Sequence, residues 1–172
     1  MSSLLTPSAA SRLCSACGIC CNGVMFYKVR LQSGDVPREL RALGLKIKHK
    51  HTEQFSLQPC PAFQGAQCGI YAQRPERCEL FTCRQLKRVG LGESSEAEAL
   101  ETIRQVVQRA AEVNRLLDES GKTDPAKPLG KRYEKITATP VDPADPPAVA
   151  LREQLTLAMQ ELEEMIDRDF RP

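Results

Sequence analysis

The sequence predicts a mainly α protein with short β segments, in which a small, irregular, cysteine-rich domain is followed by amphipathic helices. Three observations predict it. All eight cysteines of the 172-residue chain lie within the first 83 residues, and six of the eight aromatic residues (Phe26, Tyr27, Phe55, Phe63, Tyr71 and Phe81) lie between positions 26 and 81. Beyond Gly92 there is no cysteine, and apolar residues recur at helical spacing. Six of the 12 prolines fall between residues 120 and 147 and divide that second half in two.

Taken in order, residues 1–13 are Ser/Ala-rich and read as a flexible N-terminus. They lack a charged stretch followed by an apolar one, so no signal peptide is expected. Residues 14–92 form the cysteine-cluster domain, with Cys14, Cys17 and Cys20 expected on a Gly-containing loop. Val24 to Leu31 is rich in β-formers between Asn22-Gly23 and Ser33-Gly34 and predicts a strand. Asp35 is placed to cap a short helix through Leu43, with Pro37 in its first turn and Gly44 at its end. Lys46 to His51 reads as a solvated strand or loop, and Phe55 to Gln58 and Gly69 to Tyr71 as short extended pieces. Pro75 suits the first turn of a helix to Val89, ended by Gly90. Cys78 and Cys83 would then differ by about 140° around the helix axis. Either they serve different centres or the helix breaks between them.

In residues 93–119, Ser95-x-x-Glu98 is a capping box ahead of a stripe of Leu100, Ile103, Val107, Ala110, Asn114 and Leu117, widened by Val106 and Val113. Residues 120–147 read as a Pro-rich linker or loop. Residues 148–170 predict a C-terminal amphipathic helix with Leu151, Leu155, Met159, Leu162 and Ile166 on one face. The two long helices are expected to pack on each other or on the cysteine domain, with dimerisation through the last one as the alternative.

The chemistry lies in the cysteines: Cys14, Cys17, Cys20, Cys21, Cys60, Cys68, Cys78 and Cys83. Such density marks either a disulfide framework or a metal site. Sulfurs recurring every three residues suit convergence on one centre, and without an export signal the thiols are expected to stay reduced, so metal is the stronger reading. The spacing leaves zinc and an iron–sulfur cluster both open. Overlapping Cys-x2-Cys pairs without a second short pair depart from the usual zinc knuckles. Cys14-x2-Cys17-x2-Cys20 with a remote Cys60-Pro61 echoes a ferredoxin but lacks the fourth cysteine within about four residues. Eight thiolates suffice for two four-ligand sites, and such a staple would replace core that a loop-rich segment cannot build. Were one thiol to stay outside both, Cys21 is the candidate, since Cys14, Cys17 and Cys20 form the periodic triple. His49 and His51 lie in a Lys-rich segment and read as surface.

The stretches Cys14-Ser-Ala-Cys17-Gly-Ile-Cys20-Cys21 and Cys60-Pro-Ala-Phe-Gln-Gly-Ala-Gln-Cys68-Gly-Ile-Tyr71-Ala-Gln-Arg74-Pro75-Glu-Arg-Cys78-Glu-Leu-Phe-Thr-Cys83 resemble the YkgJ-type cysteine-cluster family, also called the CxxCxxCC or zinc- or iron-chelating domain. The resemblance covers residues 14–90 and includes all eight cysteines. It implies zinc or iron as cofactor, with the eight cysteines as ligands. A similar domain in flagellin lysine N-methylase makes a metal-dependent protein-modifying or redox enzyme the alternative to a role in binding or assembly. Fold transfers better than function in such an analogy.

Charge fits a metal site. Residues 1–90 hold 13 Lys/Arg against 5 Asp/Glu, and residues 91–172 hold 11 against 17. Eight metal-bound thiolates would bring negative charge that the basic half offsets, so its lysines and arginines (Lys46, Lys48, Lys50, Arg84, Lys87 and Arg88 among them) do not require nucleic acid as partner. No apolar run approaches the ~20 residues of a membrane helix. There is no P-loop, dinucleotide fingerprint, His-Glu-x-x-His or Gly-x-Ser-x-Gly, so no catalytic residue is assigned. The expectation is a cytoplasmic metal-binding protein that meets a protein partner through its C-terminal helices.

Overall fold

The computed structural model describes residues 8–65, 67–121 and 123–172. The protein is mainly α with short β segments. In chain order its elements are α1 (Ala9–Cys17), β1 (Lys28–Arg30), α2 (Pro37–Ala42), β2 (Ile47–Lys50), β3 (Glu53–Leu57), β4 (Phe63–Gln64), β5 (Gln67–Cys68), a 3-10 turn at Tyr71–Gln73, α3 (Glu76–Leu80), α4 (Arg84–Gly90), α5 (Glu96–Ser120), α6 (Leu129–Thr137) and α7 (Pro146–Asp169).

The two long helices form the body. The α5 helix starts as its sequence predicts: Ser95 Oγ accepts from the Glu98 N–H, and the Glu98 carboxylate accepts from the Ser95 N–H at 2.7 Å. Asp145 caps α7, with Pro146 in its first turn. The helices pack on each other, and α1 packs on α5, where Arg12 pairs with Glu96 at 2.6 Å. On α7, Leu155, Met159, Leu162 and Ile166 are buried as expected. On α5 the stripe is rotated from the predicted one. Ile103, Val106, Ala110, Val113 and Leu117 face inward, whereas Val107 is exposed. The inward set alternates steps of three and four, which keeps it on one face of a 3.6-residue helix. Leu13, Ile19, Val24, Met25, Leu129 and Phe170 complete this core.

Several expectations are corrected. The flexible N-terminus of 1–13 and the loop bearing Cys14 and Cys17 give way, from Ala9 onward, to a helix capped by Ser8, whose Oγ accepts from the Ser11 N–H. The part of that terminus before Ser8 lies outside the described residues. Asp35 does not cap α2, whose N-cap is Val36. Its carboxylate instead accepts from the Gln32 and Glu76 N–H groups at 2.7 and 2.8 Å, which ties the start of α3 to the loop after β1. The predicted helix over 75–89 is broken into α3 and α4, the second of the two options left by the cysteine azimuths.

The Pro-rich stretch 120–147 also contains a helix, α6. Arg132, buried, donates to Thr123 Oγ1 at 2.9 Å, to Asp118 Oδ1 at 2.8 Å and to Asn114 Oδ1. Arg152 on α7 donates to the Ile136 and Thr139 carbonyls at 2.8 and 3.1 Å, holding the end of α6. Polar pairing of this kind has no periodicity for a sequence reading to detect.

The sheet region is small. Its three strands run in the order β1-β3-β2, antiparallel, with Val29 opposite Ser56 and Ile47 opposite Ser56 on the other side. β4 and β5 form a separate two-residue ladder pairing Phe63 with Cys68. Leu40, Leu45 and Ala62 form a second, smaller buried cluster beside this region.

Candidate metal centre

The cysteines are placed by helices α1 and α3, the turn after Gly18, strand β5 and the start of α4. Cys14 and Cys17 sit on α1, which ends at Gly18 in the left-handed region (φ 68°). A Cβ at Gly18 would also collide with the Phe63 ring, so glycine is required twice over. Beyond it the chain tightens: the Cys21 and Asn22 N–H groups donate to the Gly18 carbonyl at 2.9 and 3.0 Å. Gly23 (φ 82°) then lets the backbone pass between Pro59 and Pro128, where a Cβ would meet Pro59 Cγ and Pro128 Cα at 3.1 Å. The Cys60 N–H donates to the Cys21 carbonyl at 2.8 Å, which brings the second motif onto the first. Cys68 ends β5, Cys78 lies on α3, and Cys83 is the N-cap of α4.

All eight cysteines are free thiols. Burial pushes the Cys17, Cys21 and Cys78 thiols up to about 12, and raises Cys20 well above the ordinary range. Cys14 and Cys60 are raised too, again chiefly by burial. Neighbouring thiols add to this. Cys20 is raised further by Cys17, Cys21, Cys83 and Cys14, and Cys17 by Cys83 and Cys14. Cys21 is raised by Cys60, Cys78, Cys68 and Cys14, and Cys78 by Cys60 and Cys68. Cys14, Cys17, Cys20 and Cys83 thus influence one another, as do Cys21, Cys60, Cys68 and Cys78, and the two groups are joined through Cys20 with Cys21 and through Cys21 with Cys14.

Two of the sulfurs receive backbone amides. The Ile19 N–H holds down the Cys17 thiol, and those of Ala62 and Phe63 hold down Cys60. Such N–H groups stabilise a thiolate and support a metal ligand from outside the coordination shell. In each case the donor lies two or three places after the cysteine. His49, on β2, and His51, in the turn after it, are both exposed.

The cysteines pack on different parts of the fold. Cys17 and Cys20 pack on the main helical core; Cys60 packs on the small cluster of Leu40, Leu45 and Ala62. Among the described residues, no three His, Cys, Asp or Glu side chains are drawn in closely enough to enclose an ion. Eight thiols nevertheless match the donor number and softness that two zinc or iron–sulfur centres would require. Among the same residues, no helix is long and apolar enough to cross a membrane.

Residues 13–106 match the family model CxxCxxCC, described as "Putative zinc- or iron-chelating domain". No curated protein and no solved structure matches the chain. The family match spans more than half of the 172 residues and every cysteine, and the chain belongs to the CxxCxxCC family.

Proposed function

We propose that this protein binds zinc or iron through all eight cysteines, four to a centre, and that its role is binding or assembly in the cytoplasm rather than catalysis. The observation that supports this reading is the gathering of eight free thiols from separate stretches of the chain, two of them, Cys17 and Cys60, with backbone N–H groups beside the sulfur. A centre whose four positions are all filled by protein leaves no open coordination site, which is the hallmark of a structural rather than a catalytic ion. The long helices are the surface offered to a protein partner, with Val107 and Leu157 as exposed apolar points.

Protonated, buried thiols are poor ligands, so loading a centre displaces protons and stabilises the fold by the same event. Elemental analysis of anaerobically purified protein, with acid-labile sulfide measured alongside, tests the reading. Two zinc ions per chain without sulfide, or iron with matching sulfide, supports it and identifies the metal. A reduced chain that carries neither, and takes up neither on titration, overturns it.

A further inference from the structure

We propose that the outer face of the β1-β3-β2 sheet is a binding surface for a single-stranded nucleic acid, with its lysines following the phosphates and Phe55 meeting a base. The sheet has a buried face and an open one, and its register assigns each side chain to one of them. Ser56 is buried and stands opposite Val29 on β1 and Ile47 on β2, so these three mark the inner face. Ile47 packs there in the small cluster that Cys60 also joins. Side chains alternate along a strand, so the residues between these point the other way. On that outer face Phe55 has Arg30 and Lys48 as its cross-strand neighbours, and Lys50 lies opposite Glu53. The Leu57 N–H donates to the Lys46 carbonyl at 3.3 Å, which extends the alternation to Lys46. Lys28, opposite Leu57, sets its Nζ 4.6 Å from the Phe55 ring centroid. The ring thus turns a π face outward, where a base can replace the ammonium.

Five cations share this face with one carboxylate. Glu53 pairs with Lys28 at 3.1 Å and with Arg30 at 2.6 Å. Among the described residues, Lys46, Lys48 and Lys50 have no acidic partner, and all three are exposed. They point away from Cys60, so the sheet itself separates their charge from that thiol. They recur at every second residue, about 6.8 Å apart, along the edge strand of the sheet. A row of cations beside an aromatic ring on an open sheet suits a single strand, whose phosphates meet the charges while a base stacks on the ring. A duplex keeps its base faces inside the stack. An anionic membrane calls for exposed apolar side chains to insert, whereas Phe55 and Leu57 are half-buried among the cations.

Fluorescence anisotropy of short labelled oligothymidylate and oligouridylate, titrated with the full chain as purified, tests this from ~50 mM salt upward. Metal content is read separately, so failure here leaves the chelating function untouched. Binding should weaken with salt at a log–log slope of about −0.7 per phosphate contacted. Lys46→Gln, Lys48→Gln and Lys50→Gln combined should lower affinity about tenfold or more and flatten the slope by about 2. Phe55→Leu should cost about fivefold or more at an unchanged slope. Lys87→Gln, Arg88→Gln and Lys127→Gln combined, which remove as much charge from exposed positions elsewhere, should keep most of the affinity. An equal loss in that control overturns the inference, as does a wild type that does not bind at ~50 mM salt. Tighter binding of polyglutamate, or of phosphatidylserine vesicles, overturns it in favour of an acidic protein or a membrane. Lysines that only guard the edge against strand pairing would leave a triple variant that self-associates at unchanged oligonucleotide affinity, which also overturns it. If the triple variant does not fold, Lys48→Gln alone must flatten the slope by about 0.7; an unchanged slope then overturns the inference.

Discussion

The helical body and the sheet region are built on different principles. The body buries Ile103, Val106, Val113, Leu116 and Leu117 of α5 against Leu155, Leu162, Met165 and Ile166 of α7, with Leu13 of α1 and Phe170 added. The sheet region has Val29 on β1 and the small cluster of Leu40, Leu45 and Ala62, which is little apolar burial for the length of chain it orders. Strands of two to five residues add few ladder bonds. What the sheet region has instead is Cys60, Cys68 and Cys78, joined by Cys21. One region holds itself together by apolar burial; the other needs its ligands drawn to a common point.

Metal removal should expose this contrast with the largest effect available. After reduction and chelation, amide hydrogen exchange in 28–30, 47–57 and 63–68 should approach that of an unfolded chain, because structural zinc contributes roughly 10–16 kcal/mol of binding free energy to folding. Exchange within 96–120 and 146–169 should stay slow. Uniform loss, or uniform retention, would erase the distinction between the regions. Serine substitution sharpens it. Cys60→Ser should unfold the sheet region while sparing the helices, whereas Cys17→Ser, at a residue packed on the helical core, should leave the β1-β3-β2 ladder protected.

The converse experiment acts on the body. Leu162 is fully buried, and Leu162→Ala should cost about 2–5 kcal/mol of the helical transition in urea. Smaller, and more diagnostic of the Pro-rich stretch, is Arg132→Met. It removes the donors to Thr123, Asn114 and Asp118 and should cost about 1–3 kcal/mol. Loss of α6 protection alone would show that this stretch docks as a unit on α5. No change in stability would return it to the status of a linker.

The difference between the regions also explains what was legible. Period-3.6 burial is written in the spacing of residues, so α7 and the start of α5 were readable to within a turn. The rotation of α5 was not, because Val106 and Val107 are both apolar and only packing chooses between them. In the cysteine region the ligand residues are visible as types. Their arrangement in space is not, since it depends on the turn after a left-handed Gly18 and on a helix breaking before Cys83. Asp35 shows the same limit: it was recognised as a cap, but the N–H it meets on a helix lies 41 residues away, at Glu76.

The smallest effect sits at the boundary between the regions, where the chain leaves α4 and enters α5. Ser95→Ala removes the hydroxyl that accepts from the Glu98 N–H and should cost about 1 kcal/mol. If the body folds independently of the metal, that cost is the same in loaded and metal-free protein. Glu98 adds a pH signature. Its carboxyl is held below the usual range by the Ser95 N–H first, then by the hydroxyls of Ser95 and Ser94. A lowered folded pKa gives stability that is present above the unfolded value and lost as pH falls through the folded one. Glu98→Gln should therefore flatten this part of the acid limb of the α5 transition while keeping the Ser95 cap. Ser95→Ala, which retains the backbone N–H, should keep part of the acid sensitivity. A cap whose worth changed when the metal was stripped would mean that the cysteine region reaches into α5, and that the two regions fold as one.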